Sequence, residues 1–538
     1  MRLLLIALFS SMILSANAQT PFQIQLQEKT ITDLPGLQSY AFGTYKDFIV
    51  IIGGRTDGLH LKQPWRSFHP DYNNTKIYVI NPTTNQVWSD SISSLSVELK
   101  EQLSSSNMQF IQRGNELVIV GGYGFNVAKD DKLSFPAIII VDLAKLVKSI
   151  QNKKQIAPSF QRIADERMAV CGGQLEIINN QFYLIGGHRF DGSYNPKGNA
   201  TYVQTYTSAI RKFNITKKKK SYSISNFEEI RDTVYLHRRD YNLCPRITPS
   251  GDFALSVFSG VFQPGIDMPY RTVVDVDAAG KYSEQKGFMQ YYTNYHTANL
   301  GIYDPQKKEM HHFFFGGIGE YFLSPDGLIT QDSNVPFNKT VSHVVRDANG
   351  QMREYALPIE MPGYLGSACS FIPAHNAPLF ENGVLDFNRI KGDRMLVGYI
   401  IGGITAIGPN VFWTNEGEES SASNKIIEVW VNNKPEINEK YNELSDNPLG
   451  LEVYTNAMMD EFNIEFTLQK TSDVTIEFTT SPKDNQIKPV VLGIDELTEL
   501  EPGLHMFAFG FDEQIPAGEY MFHITVDGVK KSIRVIVG

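Results

Sequence analysis

The sequence predicts an all-β chain, in which small antiparallel sheets close into a propeller and a smaller β-sandwich follows. Three observations predict it. A hydrophobic strand that ends on a glycine pair recurs between Phe48 and Gly403, further strands and turn signals follow each copy, and after Tyr441 this pattern gives way to short alternating strands.

Taken from the N-terminus, Arg2, the apolar run Leu3–Leu14 and the small residues Ala16-Asn17-Ala18 read as an export signal over residues 1–18, so that the mature chain starts near Gln19. The run is too short to span a bilayer, and no later stretch approaches the ~20 apolar residues needed, so no transmembrane segment is expected. At 538 residues the chain exceeds one ordinary domain. A propeller over residues 19–440 and a sandwich over 441–538 divide it naturally.

The glycine pair occurs in FIVIIGG (Phe48–Gly54), ELVIVGG (Glu116–Gly122), FYLIGG (Phe182–Gly187), HFFFGG (His312–Gly317) and VGYIIGG (Val397–Gly403), with a worn copy in ALSVFSG (Ala254–Gly260). In the first unit four strands can be read: QSYAFGTY, DFIVIIGGR, TKIYVIN and QVWSDS. Later units keep the third strand clearly, as in AIIIVDL, TSAIRKFNI and NKIIEVWVN. A four-stranded sheet cannot bury both faces alone, and radial stacking is the economical solution. Glycine at the end of the second strand allows a bend and a close approach of neighbouring backbone. The segment Phe22–Thr32 alternates apolar with polar and belongs to no unit. It is expected to be the outer strand of the sixth sheet, joining the N-terminus to the last unit and removing an open edge.

With Tyr78 and Trp88 about ten residues apart after the first glycine pair, the pattern resembles the kelch repeat, over residues of about 20 to 440. The resemblance implies a six-bladed kelch-type β-propeller. In the C-terminal segment, Asn447-Pro448, the strand pair Phe462–Leu468 and Val474–Phe478, and the closing Pro516-Ala-Gly-Glu-Tyr520 with Asp527-Gly528 resemble the type A sorting domain of type IX secretion. That resemblance implies an immunoglobulin-like sandwich that engages the type IX machinery and delivers the chain to the outer cell surface or the medium. An ordinary adhesive immunoglobulin-like domain is the alternative.

The balance of 49 basic against 59 acidic residues, formally -10, leaves no basic footprint for nucleic acid. The run Lys217–Lys220 reads as a hairpin tip. Cys171, Cys244 and Cys369 supply no disulfide framework. Cys171 and Cys244 each lie fifteen residues before the first position of a glycine pair, where Ser106 and Gly301 stand in other units; small residues there suit packing. The copper chemistry of a galactose-oxidase-like kelch ring needs a Tyr, His and cross-linked Cys set that cannot be assigned. His311 and His312 are adjacent strand residues and so point to opposite faces. No metal site and no cofactor are expected.

Ligand sites in a propeller lie at the mouth of the channel. Long loops after the second strands carry Arg55, Asp57, His60 and Trp65 in the first unit, His188, Arg189 and Asp191 in the third, and Trp413 in the last. The starts of the innermost strands add Arg167, Arg239 and Asp240. Aromatics mixed with Arg and Asp suit a sugar or an acidic small molecule, and an arginine can grip a carboxylate bidentately. The same residues also serve as surface decoration or structural Arg–Asp pairs.

Three readings of function follow. The first is an exported propeller that binds a glycan or protein ligand through its loop face. The second is a mutarotase or epimerase acting at the mouth on an acidic sugar such as sialic acid, an activity of some bacterial kelch propellers. The third is a structural surface protein.

Overall fold

Runs such as Phe48–Ile52, Glu116–Val120 and Gln181–Ile185 are mostly apolar, the first two rich in β-branched residues, because both faces of each second strand are covered. In the computed structural model, which describes residues 21–195, 201–219, 221–265, 268–324, 329–412, 415–433, 442–443, 452–456, 461–468, 470–480, 491–510 and 517–537, the chain is all-β. The predicted export signal lies outside the described residues. No helix among them is long and apolar enough to cross a membrane.

Six sheets, each built on four antiparallel strands, succeed one another. The first joins Ala41–Tyr45, Phe48–Ile52, Lys76–Asn81 and Gln86–Ser91; the second joins Gln109–Arg113, Glu116–Val120, Ala137–Asp142 and Phe160–Ala164. The third holds Gln174–Ile178, Gln181–Ile185, Ala209–Lys218 and Ser221–Arg231, and the fourth Asn242–Ile247, Phe253–Phe258, Thr272–Val276 and Tyr282–Met289. In the fifth, Asn299–Asp304, Glu309–Ile318, Phe337–Arg346 and Met352–Glu360 gain short flanking strands at Leu385–Asp386 and Asn442–Glu443. The sixth is Ser370–Pro373, Arg394–Ile401, Ile426–Asn432 and, outermost, Gln23–Lys29, which runs antiparallel to Ile426–Asn432 from Gln23↔Asn432 to Lys29↔Ile426. This N-terminal strand is the clasp read from the sequence.

Each pair of neighbouring sheets buries its own apolar cluster, and the sixth packs on the first through Ile372, Tyr399 and Ile401 against Ile49, Ile51 and Ile80. Backbone hydrogen bonds reinforce the closure. Asn107 donates to Ser39, Gly172 to Asn107, Asp240 to Gly172, His296 to Asp240, Ala368 to His296, and Ser39 back to Ala368, a closed ring of N–H to carbonyl bonds with one residue from the start of each inner strand. The small closed sheets support a β-propeller.

The glycine pairs are explained by the same contacts. At Gly121 the backbone is left-handed (φ 64°), and a Cβ would stand 2.0 Å from the carbonyl oxygen of Val170 in the next sheet. The second glycine of a pair donates its N–H across that boundary, as Gly122 does to Val170, Gly187 to Arg238 and Gly403 to Leu37.

After the sixth sheet two further sheets face one another. Glu452–Asn456, Glu461–Leu468 and Gly503–Gly510 form one; Ser472–Thr480, Val491–Leu500, Gly518–Val526 and Val529–Val537 form the other. Phe462, Ile464 and Phe466 pack with Val474, Ile476, Phe478, Phe522 and Ile524 in the core between them. The sequence expects this unit to be separate, but the second sheet continues into the chain's middle: Ile329–Asp332, hairpinned with Tyr321–Leu323, runs parallel to Val529–Val537 with Thr330 opposite Arg534. Tyr291, Tyr292 and Tyr321 share its core. The opening Asn447-Pro448 lies outside the described residues.

Candidate functional site

Loops that follow the second strands form a layer of hairpins over one end of the ring: Tyr123–Asn126 with Asp131–Ser134, His188–Gly192 with Tyr202–Tyr206, and Ile404–Ala406 with Ser420–Ala422. Beneath them the ring of backbone bonds narrows the axis. Arg239 and Asp240 stand at that ring, where Asp240 has a left-handed backbone (φ 48°) and where Gly172 leaves room for its carboxylate, since a Cβ there would lie 2.9 Å from Asp240 Oδ1.

The Arg239 side chain rises into an aromatic box. Its guanidinium carbon lies 5.8 Å from the centre of the Tyr206 ring and 5.3 Å from that of Phe262. One terminal nitrogen, Nη1, donates to His188 Nδ1 at 3.3 Å, and Gln204 Nε2 donates to the same atom at 2.6 Å. Two N–H donors converge on Nδ1, so it is the acceptor and the imidazole proton sits on Nε2. Arg239 Nε makes no hydrogen bond, although Asp240 Oδ2 is 3.6 Å away. The guanidinium is nonetheless reachable, with 17% of the side chain exposed.

Burial governs the charge states. It holds His188 well below the ordinary imidazole value, with Arg239 adding to the effect, and pushes His296 down to about 4. His60, packed against Phe68 and Tyr194 with ring centres 4.8 Å apart in each case, is also pushed down to about 4 by burial, with Arg239 and Arg55 contributing. Burial raises the Asp240 carboxyl, opposed by Arg239. The mouth therefore combines the Arg239 guanidinium with the neutral imidazoles of His60 and His188 among aromatic rings, while Asp240 and His296 stand at the backbone ring and also line the cavity beneath it.

Of the residues singled out by sequence, His60, His188, Arg239 and Asp240 come together here. The others do not. Arg55 is buried and consumed by Asp57 (Nε to Oδ1 2.7 Å, Nη2 to Oδ2 2.6 Å) and Asn73. Arg189 and Asp191 lie on the outward face of their strand and pair with each other at 2.6 Å, with Glu166 as a further partner. Arg167 is held by Asp165 and lies over Phe227, and Trp65 is 71% exposed. Trp413 lies outside the described residues. Sequence reading missed Tyr206, Phe262, Tyr295 and His296. Tyr206 is the cross-strand partner of His188, and the aromatic run Gln290–His296 just before the fifth inner strand was a usable signal.

The three cysteines are free and buried. Cys171 bridges to His188 beside the ring while Cys244 lies within a strand opposite Ser256, so the two are not equivalent positions despite their equal spacing from the glycines. Burial pushes the Cys171 thiol up to about 12. No group of three or more His, Cys, Asp or Glu among the described residues is arranged to hold a metal ion.

No protein-family model matches the chain, and no curated protein matches it. Among solved structures it is similar to that of YjhT, with a TM-score of 0.42 and 11% sequence identity over 75% of this chain and 100% of that one.

Proposed function

We propose that the chain is an exported six-bladed kelch-type β-propeller that binds an anionic, hydroxyl-bearing ligand, an acidic glycan free or carried on a protein, at the mouth of its loop face. The observation that carries this reading is Arg239: a guanidinium with a buried Nε that makes no hydrogen bond, one terminal nitrogen fixed by His188, and aromatic rings on either side. A buried donor without an acceptor is unfavourable, and a carboxylate supplies acceptors in the geometry a guanidinium fork matches. Phenol and imidazole groups around it suit the hydroxyls and the ring face of a sugar.

Glycan-array binding of the mature chain would identify the ligand. Arg239→Ala should then weaken binding roughly ten- to a hundredfold, and Arg239→Lys should recover only part, because an ammonium cannot reproduce the fork. If Arg239→Ala lowers the melting temperature and leaves the affinity unchanged, the arginine is a structural partner of Asp240 and the site fails.

A second reading, a mutarotase or epimerase on an acidic sugar, draws on Asp240, whose carboxyl is raised by burial, close to neutral imidazoles that could exchange protons with a bound hydroxyl. Accelerated anomeric or epimeric exchange by NMR, lost in Asp240→Asn, would favour it; binding without exchange favours the first reading. The two-layered C-terminal unit is proposed to be an immunoglobulin-like type IX sorting domain, and residues 1–18 an export signal, so that the product is secreted or held at the outer cell surface.

A further inference from the structure

We infer that the channel on the far side of the backbone ring from the loop mouth is a second binding site, for a small organic ammonium ion. A cavity of about 600 Å³ runs there between the inner strands, lined by Phe42, Phe110 and Phe371 and by the carboxyl of Glu176. That volume is in the range of small-molecule pockets.

The inner strands would be expected to present bare backbone to this space, but side-chain amides cover it. Gln112 caps both groups of Thr44, accepting from its N–H at 2.7 Å and donating to its carbonyl at 2.8 Å. Gln174 bridges the third and fourth sheets in a similar way, donating to Tyr241 O at 2.5 Å and accepting from Leu243 N at 3.4 Å. What is left over is Glu176, which has a backbone hydrogen bond from Ile177 and no ion pair among the described residues.

Nothing in the cavity wall compensates it. Arg113, the one guanidinium among the described lining residues, is taken by Glu116 at 2.8 Å and by the Ile215 carbonyl at 3.1 Å. The lining His296 is neutral, and the wall carries two further carboxyls, Asp240 at the backbone ring and the exposed Glu381, but no other cation among the described residues. Burial pushes the Glu176 carboxyl up to about 8, so at neutral pH a proton occupies the place a cation would take. An ammonium ion supplies the missing charge, and phenyl rings attract the same ion through their faces. Inorganic cations fit less well, because rings and a few carboxyls without converging oxygen ligands do not replace a hydration shell.

The test uses the full chain and two probes of one shape, choline and its uncharged carbon analogue 3,3-dimethylbutan-1-ol, followed by titration calorimetry. Choline should bind at least tenfold more tightly than the alcohol. Glu176→Gln should remove that preference and Glu176→Asp should keep part of it. Equal affinity for the two probes, absence of choline binding at tens of millimolar, or a preference that survives Glu176→Gln in the folded variant would each overturn the assignment. The comparison of probes on the unmodified chain decides the matter even if the variant fails to fold.

Discussion

At single residues the fold is held by conformations that only certain side chains permit. Gly121→Ala should cost more than the roughly 1–2 kcal/mol of a left-handed backbone alone, because its Cβ would also meet the Val170 carbonyl; denaturant unfolding measures this. Ser259, the worn copy's substitute for glycine, is left-handed too (φ 53°), and its hydroxyl donates to Tyr270 O at 2.6 Å and accepts from Asn294 Nδ2 at 3.0 Å. The worn copy therefore replaces freedom of backbone by two buried hydrogen bonds. Buried histidines set an acid limit. His311 Nδ1 lies 3.1 Å from His343 Nε2, and burial pushes His311 and His312 down to about 3 and His343 well below its ordinary value. The folded state thus binds fewer protons than the unfolded chain below pH about 6.5, so stability is present above that value and lost as pH falls, by up to about 1.4 kcal/mol per unit for each histidine. The denaturation midpoint should drop between about pH 6.5 and 5, where most carboxylates stay ionised; a flat midpoint there would contradict the burial.

At the level of elements, the N-terminal strand does more than cap an edge. Phe22, at its start, is 1% exposed and packs on His311, Phe313 and Phe387, with ring centres 5.2, 5.9 and 4.9 Å away, so it ties the sixth sheet to the fifth. Phe22→Ala should cost about 3–5 kcal/mol. Deleting residues 22–32 should lower the melting temperature further by baring Ile426–Asn432, and unchanged thermal unfolding would count against the clasp. The alternating pattern made this strand legible, whereas the helix Leu143–Gln151 was not read from the sequence. It follows the third strand of the second sheet, is capped by Asp142 accepting from Lys145 N at 3.0 Å, and buries Leu143, Leu146, Val147 and Ile150 between the first two sheets. Its 3.6-residue apolar spacing was present but lay between two strands of one repeat unit, where the period-2 pattern held attention.

On the scale of the whole molecule, closure and docking dominate. The six ring bonds couple all six sheets, so the order of the mouth depends on the integrity of every unit. The C-terminal unit leans on the ring through Tyr291, Tyr292 and Tyr321 and through the shared sheet at Ile329–Asp332. Truncation after about Tyr441 should therefore expose these tyrosines, lower the melting temperature and raise binding of a hydrophobic dye. The same truncation tests delivery: a truncated chain that still reaches the medium through the outer membrane would remove the sorting role.

By itself the sequence determined the all-β class, the recurring unit, the N-terminal clasp and the change of pattern after Tyr441, since period-2 alternation and left-handed glycines are local properties of the chain. It also named the four residues that meet at the mouth, but among six described ones that stand elsewhere and Trp413, which lies outside the described residues. Tertiary structure decided that division. Whether Asp191 or Asp240 stands beside Arg239 depends on which face of a strand each occupies and how adjacent sheets are set around the axis. Likewise, the isolation of Glu176 in the channel arises because its neighbours on other sheets are amides and rings, and Arg113 is already paired. Contacts between units far apart in sequence carry no local signature, and burial, which sets the charge of every titratable group in both sites, exists only once the ring has closed.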